Sequence, residues 1–251
     1  MDGRQGVVTI ATKAAAGSAV AGHEPLPVGP LVPGWAGARA PARRVFSGRY
    51  CRLEPLELAA HADSLWQAHQ ADPDGRHWTY LSQSRPATFE AFQGLVAAMQ
   101  ASNDPLHWAV IDERSSLAIG TLSLMRIDVA NGVIEVGNVN FSPALQRTPA
   151  STEAHWLLMR YVFEDLGYRR YEWKCDSLNA PSRATALRLG FQFEGVFRQA
   201  VVYKGRSRDT AWYSLIDREW PDARDAFERW LAPTNFAPDG SQRQRLAQCR
   251  T

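Results

Sequence analysis

At 251 residues with 45% hydrophobic content, the chain can bury a sizeable core, and one domain with tails is the simplest organisation. Its formal charge of +2 lacks the concentrated basic face of a nucleic-acid binder, and no apolar run approaches the roughly 18 residues of a bilayer span. Cys51, Cys175 and Cys249 are spaced neither as a disulfide framework nor as a zinc site. These bounds predict a cytoplasmic protein with no metal, no nucleic-acid partner and no membrane partner.

Residues 1–48 are rich in Ala, Gly and Pro and carry basic residues with few acidic ones, which gives a loose likeness to a transit peptide. The Pro-Gly punctuation from Pro25 to Pro41 interrupts any amphipathic helix, so a flexible leader is expected. Regular patterning begins near Arg49 with a short strand around Tyr50, Leu53 and Leu56. Helical spacing follows over Leu56 to Gln70, stopped by Asp72-Pro73-Asp74-Gly75, and Thr88 can cap a second helix ending near Pro105.

Three apolar runs, His107 to Asp112, Ala118 to Ile127 and Val133 to Phe141, read as an antiparallel meander. A long helix is predicted from Pro149 to Leu166, with Thr148 as N-cap and Gly167 past its end. After it come a strand from Arg170 to Cys175, a short helix from Ser182 to Leu189, and a hairpin of Val196 to Tyr203 with Asp209 to Ile216. Pro221 to Leu231 completes a folded region of residues 49–231, and residues 232–251 read as a flexible tail.

The stretch Gln146-Arg147-Thr148-Pro149-Ala150-Ser151, together with Asn179-Ala180-Pro181-Ser182, Leu189-Gly190-Phe191 and the order of elements, resembles the GNAT N-acetyltransferases. The likeness is strongest from Val133 to Gly195 and points to the branch containing ribosomal-protein N-terminal acetyltransferases. It implies an α+β fold with a central, mostly antiparallel mixed sheet flanked by helices. It also implies acetyl-CoA as co-substrate and, as acceptor, a primary amine: a small amine, an amino acid or a protein N-terminus. A homodimer is compatible with it.

In the family, the loop at Gln146 to Ser151 cradles the pyrophosphate of the cofactor. A helix N-terminus supplies free N–H groups and a positive dipole end there, and Arg147 adds a full charge. Pro149 stands where the family has glycine, so Thr148, Ser151 and Thr152 are expected to supply substitute hydroxyl donors. Asn179 matches the family position whose side-chain amide bonds the pantetheine arm, and Asn140 and Phe141, on the strand that borders that region, are candidate cofactor contacts. Glu135 matches an acidic position that some relatives use as general base, and Gly137 is expected to allow a bulge that opens the strand.

Simple alternation places Glu135 on one side with Gly137 and Val139, opposite Asn138. Ala186 occupies a place where many relatives carry a proton-donating tyrosine, which leaves Ser182 as the candidate acid. Trp78 and Tyr80, on a loop between helices, are the candidate acceptor contacts. The departures at Pro149 and Ala186 motivate an alternative, a catalytically silent acyl-CoA-binding module, and a weaker one, an interaction domain without cofactor.

Overall fold

A computed structural model of the protein describes residues 26–250. The part of the expected leader before residue 26 lies outside the described residues. The chain divides into two compact units, Met1–Trp35 and Ala36–Thr251. In the first, residues 26–35 carry no helix or strand and make one turn, closed by the Trp35 N–H donating to the Val32 carbonyl at 3.3 Å.

In the second unit regular pairing starts earlier than the sequence suggests. Strand β1 (Phe46–Ser47) pairs antiparallel with β2 (Cys51–Pro55), and Phe46 is buried against Tyr161 and Trp108. The Ala38 N–H donates to the Val129 carbonyl at 2.8 Å, so the chain from Ala36 belongs to the fold and not to a leader. One aromatic anchor suffices for this, and a single anchor has no periodicity to betray it.

Two helices follow, α1 (Leu58–Gln70) and α2 (Phe89–Ala101), the latter capped by Thr88, whose Oγ1 accepts from the Ala91 N–H. Strands β3 (Leu106–Asp112), β4 (Ala118–Asp128) and β5 (Val133–Phe141) form the predicted meander. Helix α3 (Pro149–Arg160) crosses over to β6 (Arg170–Asp176), the parallel neighbour of β5. Helix α4 (Ala180–Leu189), the hairpin β7 (Gln192–Tyr203) and β8 (Arg206–Ile216), and α5 (Trp220–Leu231) complete the order. The sheet runs β1-β2-β3-β4-β5-β6-β8-β7, antiparallel except at β5–β6, so the fold is α+β with a mixed sheet.

Each face of the sheet has its own cover. On one, Leu157, Leu158 and Val162 pack on Ile134, Val136, Tyr171 and Tyr213, with α5 beside them. On the other, Leu65, Phe92 and Val96 of α1 and α2 cover Ala109, Ile111 and Ala118. The predicted long helix changes character at Tyr161, where a wide π turn runs to Asp165 and the Leu166 N–H reaches the Tyr161 carbonyl at 3.0 Å. Tyr161, Val162 and Phe163 are all buried along this turn.

The C-terminal stretch, expected as a flexible tail, packs on the domain. Leu246 and Cys249 are buried in the main core on a short 3₁₀ turn, and Arg229 Nε donates to the Cys249 carbonyl at 2.9 Å. Residues three apart share one side of such a turn, and a single pair leaves no pattern for the sequence to show.

Candidate active site

The feature that organises the site is a parting of two strands. β5 and β6 pair from Val133↔Arg170 to Val136↔Trp173 and no further, so Gly137–Phe141 diverges from Lys174–Asp176. A bulge against β4 accompanies the divergence: Ser123 faces Gly137 and Thr121 faces Asn140, leaving one extra residue on β5. Asn138 absorbs it with φ of +49°, whereas the bulge was expected at Gly137. Gly137 matters for space instead, because a Cβ there would come within 2.3 Å of Met125 Sδ.

The bulge also corrects the simple alternation. Asn138 lies on the same face as Glu135, its Nδ2 donating to Ser123 Oγ at 3.2 Å, and Val139 turns to the core. His155 of α3 fills the wedge beneath the parting strands, its ring centroid 5.5 Å from that of Phe141 and 5.2 Å from that of Trp173. Full burial pushes its pKa down to about 3, so it sits there as a neutral imidazole.

The loop that closes the wedge is held from within. Gln146 Nε2 donates to the Phe141 carbonyl at 2.7 Å, and Thr148 Oγ1 accepts from the Ser151 N–H at 3.2 Å while donating to the Leu145 carbonyl. Ser151 Oγ donates to the Thr148 carbonyl at 2.7 Å. The hydroxyls of Thr148 and Ser151 are therefore spent on capping and are not the substitute donors expected of them. Thr152 is buried, with Oγ1 accepting from Arg188 Nη1 at 3.0 Å, and so points at α4 instead of the loop mouth. Arg147 is exposed, with a left-handed φ of +62°. Among the described residues the N–H groups of Arg147, Thr148 and Ala150 have no protein partner.

Glu135 is 5% exposed and belongs to a ladder of alternating charge across the sheet. Its Oε2 lies 2.9 Å from Lys174 Nζ and 3.1 Å from Arg126 Nε; Lys174 reaches Glu172 at 2.7 Å, and Arg170 joins Glu172 to Glu194. Lys174 Nζ also stands 3.8 Å from the centroid of Trp212. Burial raises the Glu135 pKa above the usual carboxylate range, and the Lys174 charge acts against that rise. Sequence reasoning missed Lys174, although its alternation with Tyr171, Trp173 and Cys175 marks it as facing away from the main core.

At the other wall, Asn179 caps α4, with Oδ1 accepting from the Ser182 N–H at 3.1 Å. That commits the oxygen to the helix and leaves the amide nitrogen. Ser182 Oγ accepts from Trp173 Nε1 at 2.9 Å, and its side chain also hydrogen-bonds with Cys175.

Above the parting strands, between α1, α2 and the sheet, lies a narrow pocket of about 30 Å³ that reaches Asn138 and Asn140. Trp78 lines it; Tyr80 does not. The Tyr80 hydroxyl donates instead to the Leu178 carbonyl at 3.2 Å, and Lys204 Nζ to the Trp78 carbonyl at 2.7 Å, so the loop is clasped to both the β6–α4 turn and the hairpin tip. Among the described residues no cluster of three or more His, Cys, Asp or Glu could hold a metal ion, and no helix is long and apolar enough to cross a membrane.

A mixed sheet with one parallel pair that opens into a cleft, unpaired N–H groups at the helix start below it and a pocket above, is the arrangement that the resemblance to the GNAT family leads one to expect. Residues 51–192 match the family model described as Acetyltransferase (GNAT) domain, and the chain belongs to that family. The crystal structure of a GCN5-related N-acetyltransferase from Brucella melitensis is similar at 47% identity, over 87% of this chain and 99% of that one, with a TM-score of 0.86. N-acetyltransferase p20 of Bacillus licheniformis is 32% identical over 45% of this chain and 63% of its own length. A Bacillus subtilis (strain 168) relative with the provisional name ribosomal N-acetyltransferase YdaF is 33% identical over 40% of this chain and 55% of its own length. The matched region thus spans under two thirds of both curated relatives.

Proposed function

We propose that the protein transfers the acetyl group of acetyl-CoA to a primary amine by direct attack. The observation that carries this reading is the parting of β5 and β6 after Val136↔Trp173, directly above the start of α3. Gly137–Phe141 there offers an unpaired strand edge for the amide groups of the pantetheine arm, and the free N–H groups of Arg147, Thr148 and Ala150 suit its pyrophosphate. The Asn179 amide nitrogen adds a donor on the opposite wall.

An alkyl ammonium with a pKa of about 10 must lose a proton before it can attack a carbonyl. Glu135 has the chemistry for that step, being a buried carboxylate with a raised pKa on the face shared with Asn138 and the pocket. Attack forms the C–N bond, the C–S bond breaks, and the departing thiolate takes a proton; Ser182 is the candidate to pass it one, regaining its own from solvent. Ala186 is fully buried and carries no proton donor of its own.

Calorimetry with acetyl-CoA and a thiol-release assay over an amine and peptide panel test the proposal together. Binding with release of CoA in the presence of an amine is expected. Binding without release for any acceptor would favour a silent acyl-CoA-binding module, and no binding at millimolar concentration would remove both readings.

A further inference from the structure

The two ends of the sheet are finished differently. At one, β1 is only two residues long and leaves little edge to pair with. At the other, β7 runs for twelve residues, and among the described residues no strand pairs with its outer edge. It contains neither proline nor lysine, the residues that commonly guard such an edge. Phe193, Val196, Phe197, Val201 and Val202 stand between 39% and 79% exposed on it instead. Five large apolar side chains left open on one unpaired strand mark a surface that another chain covers.

Two irregularities in the pairing of β7 with β8 limit where a further strand can add. One falls between Phe193 and Gly195. The other falls between Phe197 and Val201, where Gln199 has φ of +51° and its N–H donates to Asp209 Oδ1 at 2.7 Å. Between them the run from Gly195 to Phe197 is regular. A second copy laid antiparallel along this run, about a two-fold axis at Val196, sets Val196 against itself, Gly195 against Phe197 and Glu194 against Arg198.

Each of these matches is favourable. A Cβ built at Gly195 meets no atom within 4 Å, so the space over it is open, and an aromatic side chain across from a glycine covers the backbone that glycine exposes. Arg198 is exposed and has no partner among the described residues, and it comes to stand across from an acidic residue, Glu194, which Arg170 alone now neutralises. Neighbouring registers lose these matches. An axis at Phe197 sets Gly195 against the bulged Gln199, and one at Gly195 sets Glu194 against Val196 and Arg198 against Gln192.

We infer that the protein associates with a second copy of itself through β7, the two edges pairing antiparallel about Val196 so that the two sheets become continuous. The occupant is a second copy because the segment Glu194-Gly195-Val196-Phe197-Arg198 is complementary to itself when reversed, which is what an isologous two-fold contact requires. The regular run is short, so the contact belongs with small, reversible interfaces. It does not depend on the acetyl-transfer reading.

Cross-linking at the axis tests this register. Only the residue on the axis meets its own counterpart, at a Cα separation of about 4.5–5.5 Å that a disulfide can span. Cys51, Cys175 and Cys249 are buried, so Val196→Cys supplies the one exposed thiol among the described residues. Under a mild oxidant it should give a covalent dimer on non-reducing gels, whereas Phe193→Cys, about 20 Å from its counterpart, should not. Sedimentation velocity of the native protein over a concentration series should show a reversible monomer–dimer equilibrium, which Phe197→Asp weakens roughly tenfold.

A native protein that stays monomeric up to about 1 mM, equal cross-linking of Val196→Cys and Phe193→Cys, or a dimer that Phe197→Asp leaves unchanged overturns the inference. So does a monomer in which the Val196→Cys thiol resists labelling, because its edge is then covered by another part of the same chain. If Phe197→Asp fails to fold, the native equilibrium and the two cysteine variants still decide the matter.

Discussion

Lys174 holds the carboxylate of Glu135 at 2.9 Å across the two strands that separate one residue later. The contact sets two opposed demands, since burial pushes the carboxyl toward its neutral form and the ammonium keeps it charged. A base arranged this way works only when deprotonated, so kcat/KM should rise with pH through a pKa above the ordinary carboxylate value and then level off. Glu135→Gln should lower kcat about a hundredfold, abolish that inflection and leave acetyl-CoA affinity unchanged. Lys174→Met removes the opposing charge, so the same inflection should move to higher pH, with Arg126 still beside the carboxylate. An unmoved inflection in Lys174→Met, or an unaltered rate in Glu135→Gln, would take the pair out of the mechanism. Breaking a buried ion pair also costs about 3–5 kcal/mol, so melting temperatures must accompany the kinetics.

The two roles available to Asn179 are separable by one atom. Asn179→Asp retains the oxygen that caps α4 and loses the amide donor, whereas Asn179→Ala loses both. The aspartate variant is expected to keep native stability while raising KM for acetyl-CoA several-fold. The alanine variant should share the KM change and also lose about 1 kcal/mol in urea unfolding. Equal KM values for Asn179→Asp and the native protein would reduce the residue to a helix cap.

These contrasts mark where local pattern stops being informative. The caps at Thr88 and Thr148, the meander and the terminal hairpin were legible because each depends on residues within a few positions of one another. The face of Asn138 was not, because a single bulge inverts the alternation on which strand reading relies. Thr152 looked available at a helix start, yet its hydroxyl is claimed by Arg188, 36 positions away in the chain. The pairing of Glu135 with Lys174 and the gathering of His69, His107 and Asn140 around one pocket likewise arise from tertiary placement alone.

Acid should unfold the protein through its buried histidines. His69 and His155 have pKa values near 3 and His107 near 4, against about 6.5 in an unfolded chain. Between those values the unfolded state binds more protons than the folded one, so stability is present in full above about pH 6.5 and falls as pH falls. Each histidine contributes a slope of up to about 1.4 kcal/mol per pH unit in that window. Urea unfolding at pH 7.5, 6 and 5 should show a steep loss, and His155→Phe, which fills the wedge with a ring that cannot protonate, should flatten it. A pH-independent midpoint across that range would contradict the assignment of neutral buried imidazoles.

Arg147 combines a conformational cost with an electrostatic use. A side chain in the left-handed region costs about 1–2 kcal/mol relative to glycine, and nothing in the surrounding loop requires arginine there for packing, because the residue is exposed. Its charge stands instead at the start of α3, beside the N–H groups that suit a pyrophosphate. Arg147→Gly should therefore stabilise the protein by about 1 kcal/mol and at the same time raise KM for acetyl-CoA, with a weaker dependence of KM on salt than the native enzyme shows. Arg147→Lys should preserve most of the affinity and the salt dependence while keeping the backbone strain. If the glycine variant gains stability with no change in KM, the arginine has no part in cofactor binding, and the phosphate corner rests on the backbone N–H groups alone.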